Sequence, residues 1–229
     1  MNDIFNDNVS LKTETPAIVK HVLPVVPSSE VYLEDCVKAL KRFNDNHFDL
    51  AIVDPPYTDE VAGLKVGFNS ATDRGDFSYE HFKQPNKEYF DQLFRVSKNQ
   101  IIWGFNYFLE LLPNTNYVIV WNKYQKAHFN ECEVAWSSLK KSKVFERNFE
   151  KDMKNKIHPT QKPVALYDWL LHHYAQPNDL ILDTHLGSGS SRISAYKGGF
   201  NFVGFEIDPE YYEKQEKRFN DFKSQLRLF

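Results

Sequence analysis

The chain has 229 residues, of which 41% are hydrophobic and 15% aromatic, a composition that suits one domain with a sizeable core. The formal net charge is −3, which excludes a uniformly positive surface for nonspecific nucleic-acid binding, so any DNA contact must come from a local patch. No apolar run approaches the roughly 20 residues of a membrane span, and the polar first ten residues lack a signal-peptide core. The two cysteines, Cys36 and Cys132, do not have metal-site spacing. We therefore expect a cytoplasmic protein without a metal or a membrane segment.

The order of apolar and polar segments predicts one domain after a short arm. Residues 1–29 contain three prolines and little periodicity, which predicts an N-terminal arm, and residues 30–229 form the single domain. Short runs rich in branched or aromatic residues predict buried strands, and amphipathic segments predict helices between them. The alternation predicts an α/β fold with a mostly parallel, twisted sheet and helices on both faces. The predicted strands cover 49–53, 100–103, 117–121, 133–136, 180–183 and 202–205, and the predicted helices 32–43, 87–97, 163–174 and 210–228.

The first strand runs directly into the sequence Asp54-Pro55-Pro56-Tyr57. The prolines restrict the chain where it leaves the sheet, which fixes the Asp54 carboxylate, a backbone carbonyl and the Tyr57 ring at the strand end. An exocyclic base amine is a poor nucleophile because its lone pair is delocalised into the ring. Acceptors on its N–H groups localise that lone pair for attack on a sulfonium methyl, and Tyr57 offers a face for a flipped base. The other interpretation is a rigid loop end with a surface aspartate.

Two segments are candidates for DNA contact. The polar residues 58–86 contain three glycines and follow the Pro-Pro sequence directly, which suits a loop that closes over a substrate. Residues 140–162 contain eight Lys or Arg and three acids, a local positive excess that suits phosphate contacts. We therefore predict a short recognition insert around 138–157, with an ordinary solvated surface as the alternative. The predicted DNA contacts are Lys140, Lys141, Lys143 and Arg147.

A glycine-containing turn follows the strand that ends at Asp183. Gly187 and Gly189 let the backbone turn tightly and approach a ligand, and Glu206 ends the next strand 23 residues after Asp183, where an acidic side chain accepts from ribose hydroxyls. The dinucleotide fingerprint is incomplete because Arg192 stands where its third glycine would be, which disfavours a nicotinamide dehydrogenase. The alternative is a turn that uses glycine for steric reasons alone. The predicted nucleoside-cofactor residues are Asp183, His185, Gly187, Ser188, Gly189 and Glu206.

Several motifs in this order resemble the β class of amino-methylating DNA methyltransferases, over roughly residues 30–215. Asp54–Tyr57 resembles their catalytic motif, and Asp183–Ser190 their motif for S-adenosylmethionine. His158–Pro163 is similar to the motif that precedes the cofactor motif when the order is circularly permuted. The resemblance implies a Rossmann-like methyltransferase fold. Trp103–Tyr107 and Trp121–Lys123 resemble the connecting motifs.

The resemblance also implies roles for individual residues. Asp54 and the Pro55 carbonyl would hold the target amine, Glu206 the cofactor ribose, and Asp35 would lie near the cofactor adenine with Cys36 beside it. His158 and Lys162 match positions that line the cofactor pocket, with loop packing as the alternative for His158. His185 departs from the family pattern, which often has Phe there.

The same motifs restrict the target base. Methylation at cytosine C5 needs a cysteine nucleophile, usually after a proline, and neither Cys36 nor Cys132 follows one. An initial Asp in the catalytic motif goes mainly with adenine N6 in the resembled family, and cytosine N4 is the alternative.

Two other classes of protein are alternatives to a DNA methyltransferase. An RNA or protein-amide methyltransferase usually has its cofactor motif first. An inactive nucleic-acid-binding subunit would be expected to lose Asp54 or the glycine turn.

Two further partners follow from resemblance alone. The segment from Gln225 to Phe229 reads Gln-Leu-Arg-Leu-Phe and resembles the peptide by which bacterial replication proteins bind the sliding clamp. The alternative is an apolar helix end that packs on its own domain. Permuted relatives often form pairs, so a homodimer is also expected.

Overall fold

The computed structural model describes most of the predicted domain. The predicted arm lies outside the described residues up to position 25, and its last residue, Ser29, already belongs to a strand. The predicted loop at 58–86 is described only in part. In the described part of the chain, no helix is both long and apolar enough to cross a membrane. The described residues are 26–58, 65–66, 77–78, 81, 83–124, 130–148 and 156–226.

The described residues form ten strands, five α-helices and one 3₁₀ helix. The strands are β1 (Ser29–Leu33), β2 (Phe48–Val53), β3 (Lys65–Val66), β4 (Phe77–Ser78), β5 (Ser97–Trp103), β6 (Val118–Asn122), β7 (Cys132–Ser137), β8 (Lys143–Glu146), β9 (Leu180–Asp183) and β10 (Asn201–Glu206). The α-helices are α1 (Cys36–Leu40), α2 (Lys87–Val96), α3 (Val164–Tyr174), α4 (Ser190–Gly198) and α5 (Pro209–Leu226), and the 3₁₀ helix is Phe105–Tyr107.

Eight of these strands form one sheet in the order β1-β10-β9-β2-β5-β7-β6-β8. All neighbouring pairs are parallel except those that involve β7, which runs antiparallel to both β5 and β6. The prediction of a mostly parallel α/β sheet is therefore confirmed. Strands β3 and β4 form a separate two-stranded pair.

Alternating residues of the central strands pack on opposite faces of the sheet. Leu50 and Ile52 of β2 belong to a core that includes residues of α3 and α4, whereas Ala51 and Val53 belong to a second core with residues of α1 and α2. A strand buried on both faces reads as a continuous apolar run, and burial of each large aliphatic side chain contributes about 1.5–3 kcal/mol. This double burial holds the central strands between two layers of helices.

Two predicted segments differ from the structure. The predicted helix at 32–43 is wrong in its first part because Tyr32 and Leu33 pair with β10; Asp35 then caps the short helix α1 by accepting the Lys38 N–H at 2.9 Å. The predicted insert at 138–157 contains a strand that the sequence did not reveal. This strand, β8, pairs with β6, buries Phe145 and exposes Val144, so two apolar residues inside a basic run extend the sheet.

The two predicted motifs leave adjacent strands at the same edge of the sheet. Strand β2 pairs with β9 through Leu50 and Ile181 and through Ala51 and Leu182. Because both strands run in the same direction, the chain emerges side by side after Val53 and after Asp183. Ligands of open α/β sheets bind at this carboxyl edge.

Candidate active site at the carboxyl edge

A cavity of about 580 Å³ lies at this edge and joins the two motifs. This volume is within the range of small-molecule and cofactor sites, roughly 300–1,000 Å³. One wall comes from Asp54–Tyr57 and the other from Thr184–Ser188 together with Glu206. The parallel pairing of β2 and β9 explains why residues 130 positions apart in the chain share one cavity.

Asp54 lies in a buried hydrogen-bond and ion-pair network. The Lys162 ammonium is 2.5 Å from Asp54 Oδ2, and the Tyr57 hydroxyl donates to Asp54 Oδ1 at 2.7 Å. Lys162 also donates to the Tyr57 oxygen at 3.1 Å. Burial raises the pKa of Asp54 above its usual value, although Lys162 opposes this. Burial alone would lower the pKa of Lys162, but the carboxylates of Asp54 and Glu133 raise it instead.

Glu133 completes this network and was not predicted. It lies in β7, with its Oε2 atom 3.0 Å from the Lys162 ammonium, and Lys123 pairs with its other oxygen. Burial raises the pKa of Glu133, but the two lysines outweigh burial and lower that pKa to about 2. Because β7 is antiparallel to β5, its beginning rather than its end lies at the carboxyl edge. Glu133 could have been predicted at the site only if the direction of β7 had been known.

The Tyr57 ring is held by an aromatic neighbour and by a glycine. It stacks on Tyr107 with a centroid distance of 5.0 Å and an interplanar angle of 8°, so Tyr107 covers one of its faces. Gly104 has φ +67°, and a Cβ at that position would lie 2.0 Å from Tyr57 Cε1. Only glycine satisfies both the left-handed backbone and this close approach. Tyr107 itself is 48% exposed.

Glu206 is fixed by three backbone N–H groups. The Gly187 N–H donates to its Oε2 atom at 2.7 Å, and the N–H groups of Ile207 and Asp208 donate to Oε1 at 2.9 and 3.0 Å. Burial raises the pKa of Glu206, while these donors favour its charged form. The carboxylate therefore holds the glycine turn in place and also lines the cavity.

Asp183 and Gly189 lie outside the lining of the cavity, which otherwise includes the remaining predicted cofactor residues. Asp183 accepts from the Ser191 hydroxyl at 2.5 Å and from the His185 N–H at 3.1 Å. Burial raises the pKa of Asp183 to about 7, although both hydrogen bonds oppose the rise. Gly189 has φ +70° and is the N-cap residue directly before α4. Asp183 and Gly189 thus stabilise the shape of the turn without lining the cavity.

Two histidines line the cavity in neutral form. Burial lowers the pKa of His158 to about 3 and that of His185 to about 4. The His158 ring packs edge-on against Tyr211 at 4.3 Å. Nδ1 of His185 bonds to the Thr184 hydroxyl at 3.0 Å, and that hydroxyl bonds to Tyr89 at 2.7 Å.

The predicted adenine-side residues also reach the cavity. Asp35 and Cys36 both line it, and the Asp35 side chain is engaged by the Lys38 N–H. Burial raises the pKa of the Cys36 thiol to about 12, so the thiol stays protonated. This agrees with a packing role for Cys36 rather than a chemical one.

The predicted DNA contacts are divided between two edges of the sheet. In the pairing of β6 with β8, Lys143 faces Ile119 and Glu146 faces Asn122. Arg147 therefore lies at the carboxyl edge with the cavity, whereas Lys143 and the residues before it lie at the opposite edge. Lys141 donates there to the His173 carbonyl at 3.3 Å. Two lysines and a histidine outside the predicted contacts also line the cavity, namely Lys83, Lys156 and His81.

Two curated relatives resemble this chain over most of its length. A type II methyltransferase of Moraxella bovis, M2.MboI, is 25% identical over 254 aligned positions, which cover 86% of this chain and 92% of the relative. The type II methyltransferase M.HinfI of Haemophilus influenzae is 24% identical over 246 positions, which cover 82% of this chain and 67% of the relative.

Solved structures show the same fold. A crystal structure of the M1.HpyAVI–SAM complex has a TM-score of 0.58 and 19% identity, and the match covers 83% of this chain and 98% of that one. The cytosine-N4-specific PvuII DNA methyltransferase has a TM-score of 0.56 and 14% identity, with 87% and 93% covered. The Rossmann-like methyltransferase fold implied by the motifs is therefore confirmed.

A family model assigns the chain more specifically. The N6_N4_Mtase model, described as DNA methylase, matches residues 77–217, which is more than half of the chain. The match includes the β7 and β9 strands and the turn that carries Gly187. The chain thus belongs to the N6/N4 DNA methylase family, and it is a DNA methyltransferase that acts on an exocyclic base amine.

Proposed function

We propose that this protein transfers a methyl group from S-adenosylmethionine to N6 of adenine in DNA. The observation that carries the proposal is the shared cavity: Asp54 and Gly187 lie on two walls of one space because β2 and β9 are neighbours. A target amine held at one wall therefore faces a cofactor held at the other.

The cofactor wall fits a nucleoside. The Oε1 atom of Glu206 accepts two backbone N–H groups and the Oε2 atom accepts one, so Oε2 keeps a lone pair for a ribose hydroxyl. A Cβ at Gly187 would come within 3.3 Å of the His158 ring, so the glycine keeps this wall open. Asp35, close to α1, would face the adenine. When bound, the cofactor supplies a methyl carbon attached to a sulfonium.

The catalytic wall prepares the amine for attack. Asp54 accepts one N–H of the target amine, and the Pro55 carbonyl accepts the other, which draws the nitrogen lone pair out of conjugation and towards the cofactor wall. A cofactor held by Glu206 and the glycine turn would supply the methyl group to this nitrogen in exchange for its C–S bond, and the proton that the amine loses would pass to solvent. Tyr57 keeps Asp54 oriented through its 2.7 Å hydrogen bond. Pro56 stiffens the chain between these two side chains.

The choice of adenine rests on Asp54. Asp as the first residue of the catalytic motif favours adenine N6 in the resembled family. The alternative is cytosine N4, the target in the name of the PvuII enzyme, which shares this fold. Both bases present an exocyclic amine that the same pair of acceptors would hold.

Nucleoside analysis tests the proposal. The protein is incubated with methyl-labelled S-adenosylmethionine and mixed-sequence DNA, single- and double-stranded, and the DNA is digested to nucleosides. We expect the label in N6-methyladenine. Label in N4-methylcytosine would keep the enzyme class and correct the base, whereas label at cytosine C5 or no label in DNA would contradict the proposal.

We place DNA contact at the carboxyl edge of the sheet, where the cavity lies, rather than at the opposite edge, where β8 begins. We expect Arg147→Ala to weaken DNA binding and to reduce the slope of log affinity against log salt by about 1, because one phosphate contact is lost. Lys143→Ala is the matched control, since Lys143 begins the same strand at the opposite edge. Equal effects of the two substitutions would contradict this placement. Lys140 and Lys141 are expected to behave like Lys143.

The remaining partners stay predictions. A homodimer is expected from the resemblance alone. The clamp-like segment from Gln225 to Phe229 begins at the end of α5, and residues 227–229 lie outside the described residues. The predicted domain boundaries also stay a prediction, with β8 now part of the sheet.

A further inference from the structure

Lys162 lies among three oxygen atoms at the bottom of the catalytic wall. Its ammonium is 2.5 Å from Asp54 Oδ2, 3.1 Å from the Tyr57 oxygen and 3.0 Å from Glu133 Oε2. The side chain of Lys162 is only 5% exposed. Among the described residues, the buried Oε2 atom of Glu133 has no polar neighbour other than this ammonium. Glu133 thus offers a second carboxylate to an ammonium whose shortest contact is with Asp54.

This arrangement creates a competition at Asp54. The proposed function, on which this inference rests, requires the carboxylate of Asp54 to accept from the target amine. Lys162 occupies one of its oxygens at short range. A buried ammonium that lost its partner without a replacement would cost several kcal/mol. A second carboxylate at 3.0 Å removes that cost.

We infer that Glu133 is a positioning residue that takes over the hydrogen bond of Lys162 when the target amine occupies Asp54. The ammonium reorients between two carboxylates that it already contacts, so no proton is transferred and no net charge changes. Asp54 keeps its negative charge and gains room for the amine.

Lys123 orients the Glu133 carboxylate for this exchange. It pairs with Glu133 Oε1, which holds the other oxygen of the same carboxylate towards Lys162. Two lysines and two carboxylates then balance in charge whether Lys162 bonds to Asp54 or to Glu133. The network would be equally neutral in both states, as an exchange without ionisation requires.

Glu133→Gln tests the inference because the amide keeps the size of the side chain and loses its charge. Lys162 would then remain on Asp54. We expect the single-turnover rate of methyl transfer to fall about 10- to 100-fold, the range for a hydrogen bond to a charged group, with cofactor affinity little changed. Thermal stability should also fall, because Lys123 loses its carboxylate partner. Glu131→Gln, the same change on an exposed side chain two residues earlier, should leave the rate unaltered.

Two further readouts separate this role from a purely structural one. The charge of Glu133 contributes to the raised pKa of Asp54, so Glu133→Gln should move the acid limb of the pH–rate profile to lower pH. In a Lys162→Met background, Glu133→Gln should have almost no further effect on the rate, because Glu133 acts through Lys162.

The outcomes are distinguishable. An unchanged rate in Glu133→Gln, or additive effects of the two substitutions, would overturn the inference. So would a loss of cofactor binding in proportion to the rate, which indicates a general disturbance of the cavity rather than positioning of Lys162. Failure of the proposed function itself would look different, since the unsubstituted protein would then transfer no methyl group to an amine of DNA.

Discussion

Asp54→Ala is expected to lower kcat for methyl transfer by at least about 10²–10³-fold, the usual cost of removing one preorganised polar contact to the reacting group. The alanine has no oxygen to accept from the target amine, so the nitrogen lone pair stays delocalised. Cofactor affinity should stay close to that of the unsubstituted protein, because Glu206 and the glycine turn lie on the other wall of the cavity. Single-turnover transfer and equilibrium cofactor binding measure the two effects separately.

Asp54→Asn is the matched control for this substitution. Its amide keeps one acceptor oxygen, so we expect a rate between those of the alanine variant and the unsubstituted protein. The free Lys162 ammonium retains Glu133 as a partner in both variants, which protects the fold. Loss of cofactor binding in Asp54→Ala with normal turnover of the cofactor that remains bound would refute the role of Asp54.

Gly104→Ala is expected to damage both activity and stability. A Cβ at this position would lie 2.0 Å from Tyr57 Cε1, so the ring must leave its present position, which disturbs the hydrogen bond from its hydroxyl to Asp54. A misplacement of about 1 Å at a reacting group can cost about 10²-fold in rate. Strain in the left-handed backbone adds about 1–2 kcal/mol to the destabilisation. Methyl-transfer rate and the free energy of unfolding are the two measurements.

Gly199→Ala separates the clash from the backbone strain. Gly199 has φ +78°, similar to the +67° of Gly104, but no heavy atom lies within 4 Å of its would-be Cβ. It is the C-cap residue directly after α4 and has no contact with Tyr57. We expect this variant to lose about 1–2 kcal/mol of stability and no activity. If Gly104→Ala and Gly199→Ala behave alike, the contact between Gly104 and Tyr57 has no functional consequence.

The sequence predicted the central strands because their residues are buried on both faces. The apolar run at 49–53 and the prolines after it place Asp54 at a strand end without any knowledge of the fold. The run at 180–183 places the glycine turn in the same way. That these two strands are neighbours followed only from the family resemblance, since strand order depends on pairing between distant segments.

The residues that the sequence missed depend on tertiary pairing. Glu133 reaches the site because β7 is antiparallel to its neighbours, and a short apolar run does not report its own direction. The contact of Tyr107 with Tyr57 depends on the left-handed turn at Gly104. Strand β8 has only two apolar residues within a basic segment, so its charge concealed its pairing with β6. The pattern of apolar residues indicates which segments are buried, but it does not indicate which strands pair with one another.

Methyl transfer by this protein requires one spatial relation, in which the methyl donor and Asp54, the acceptor for the amine N–H, face each other across the cavity. A crystal structure of the protein with S-adenosylmethionine bound measures this relation directly. We predict ribose hydroxyls on Glu206 and the sulfonium methyl directed at Asp54 and Pro55, with space for an amine nitrogen about 3–3.5 Å from the methyl carbon. A cofactor bound outside this cavity, or one whose methyl points away from Asp54, would contradict the proposed arrangement of the methyl donor and Asp54.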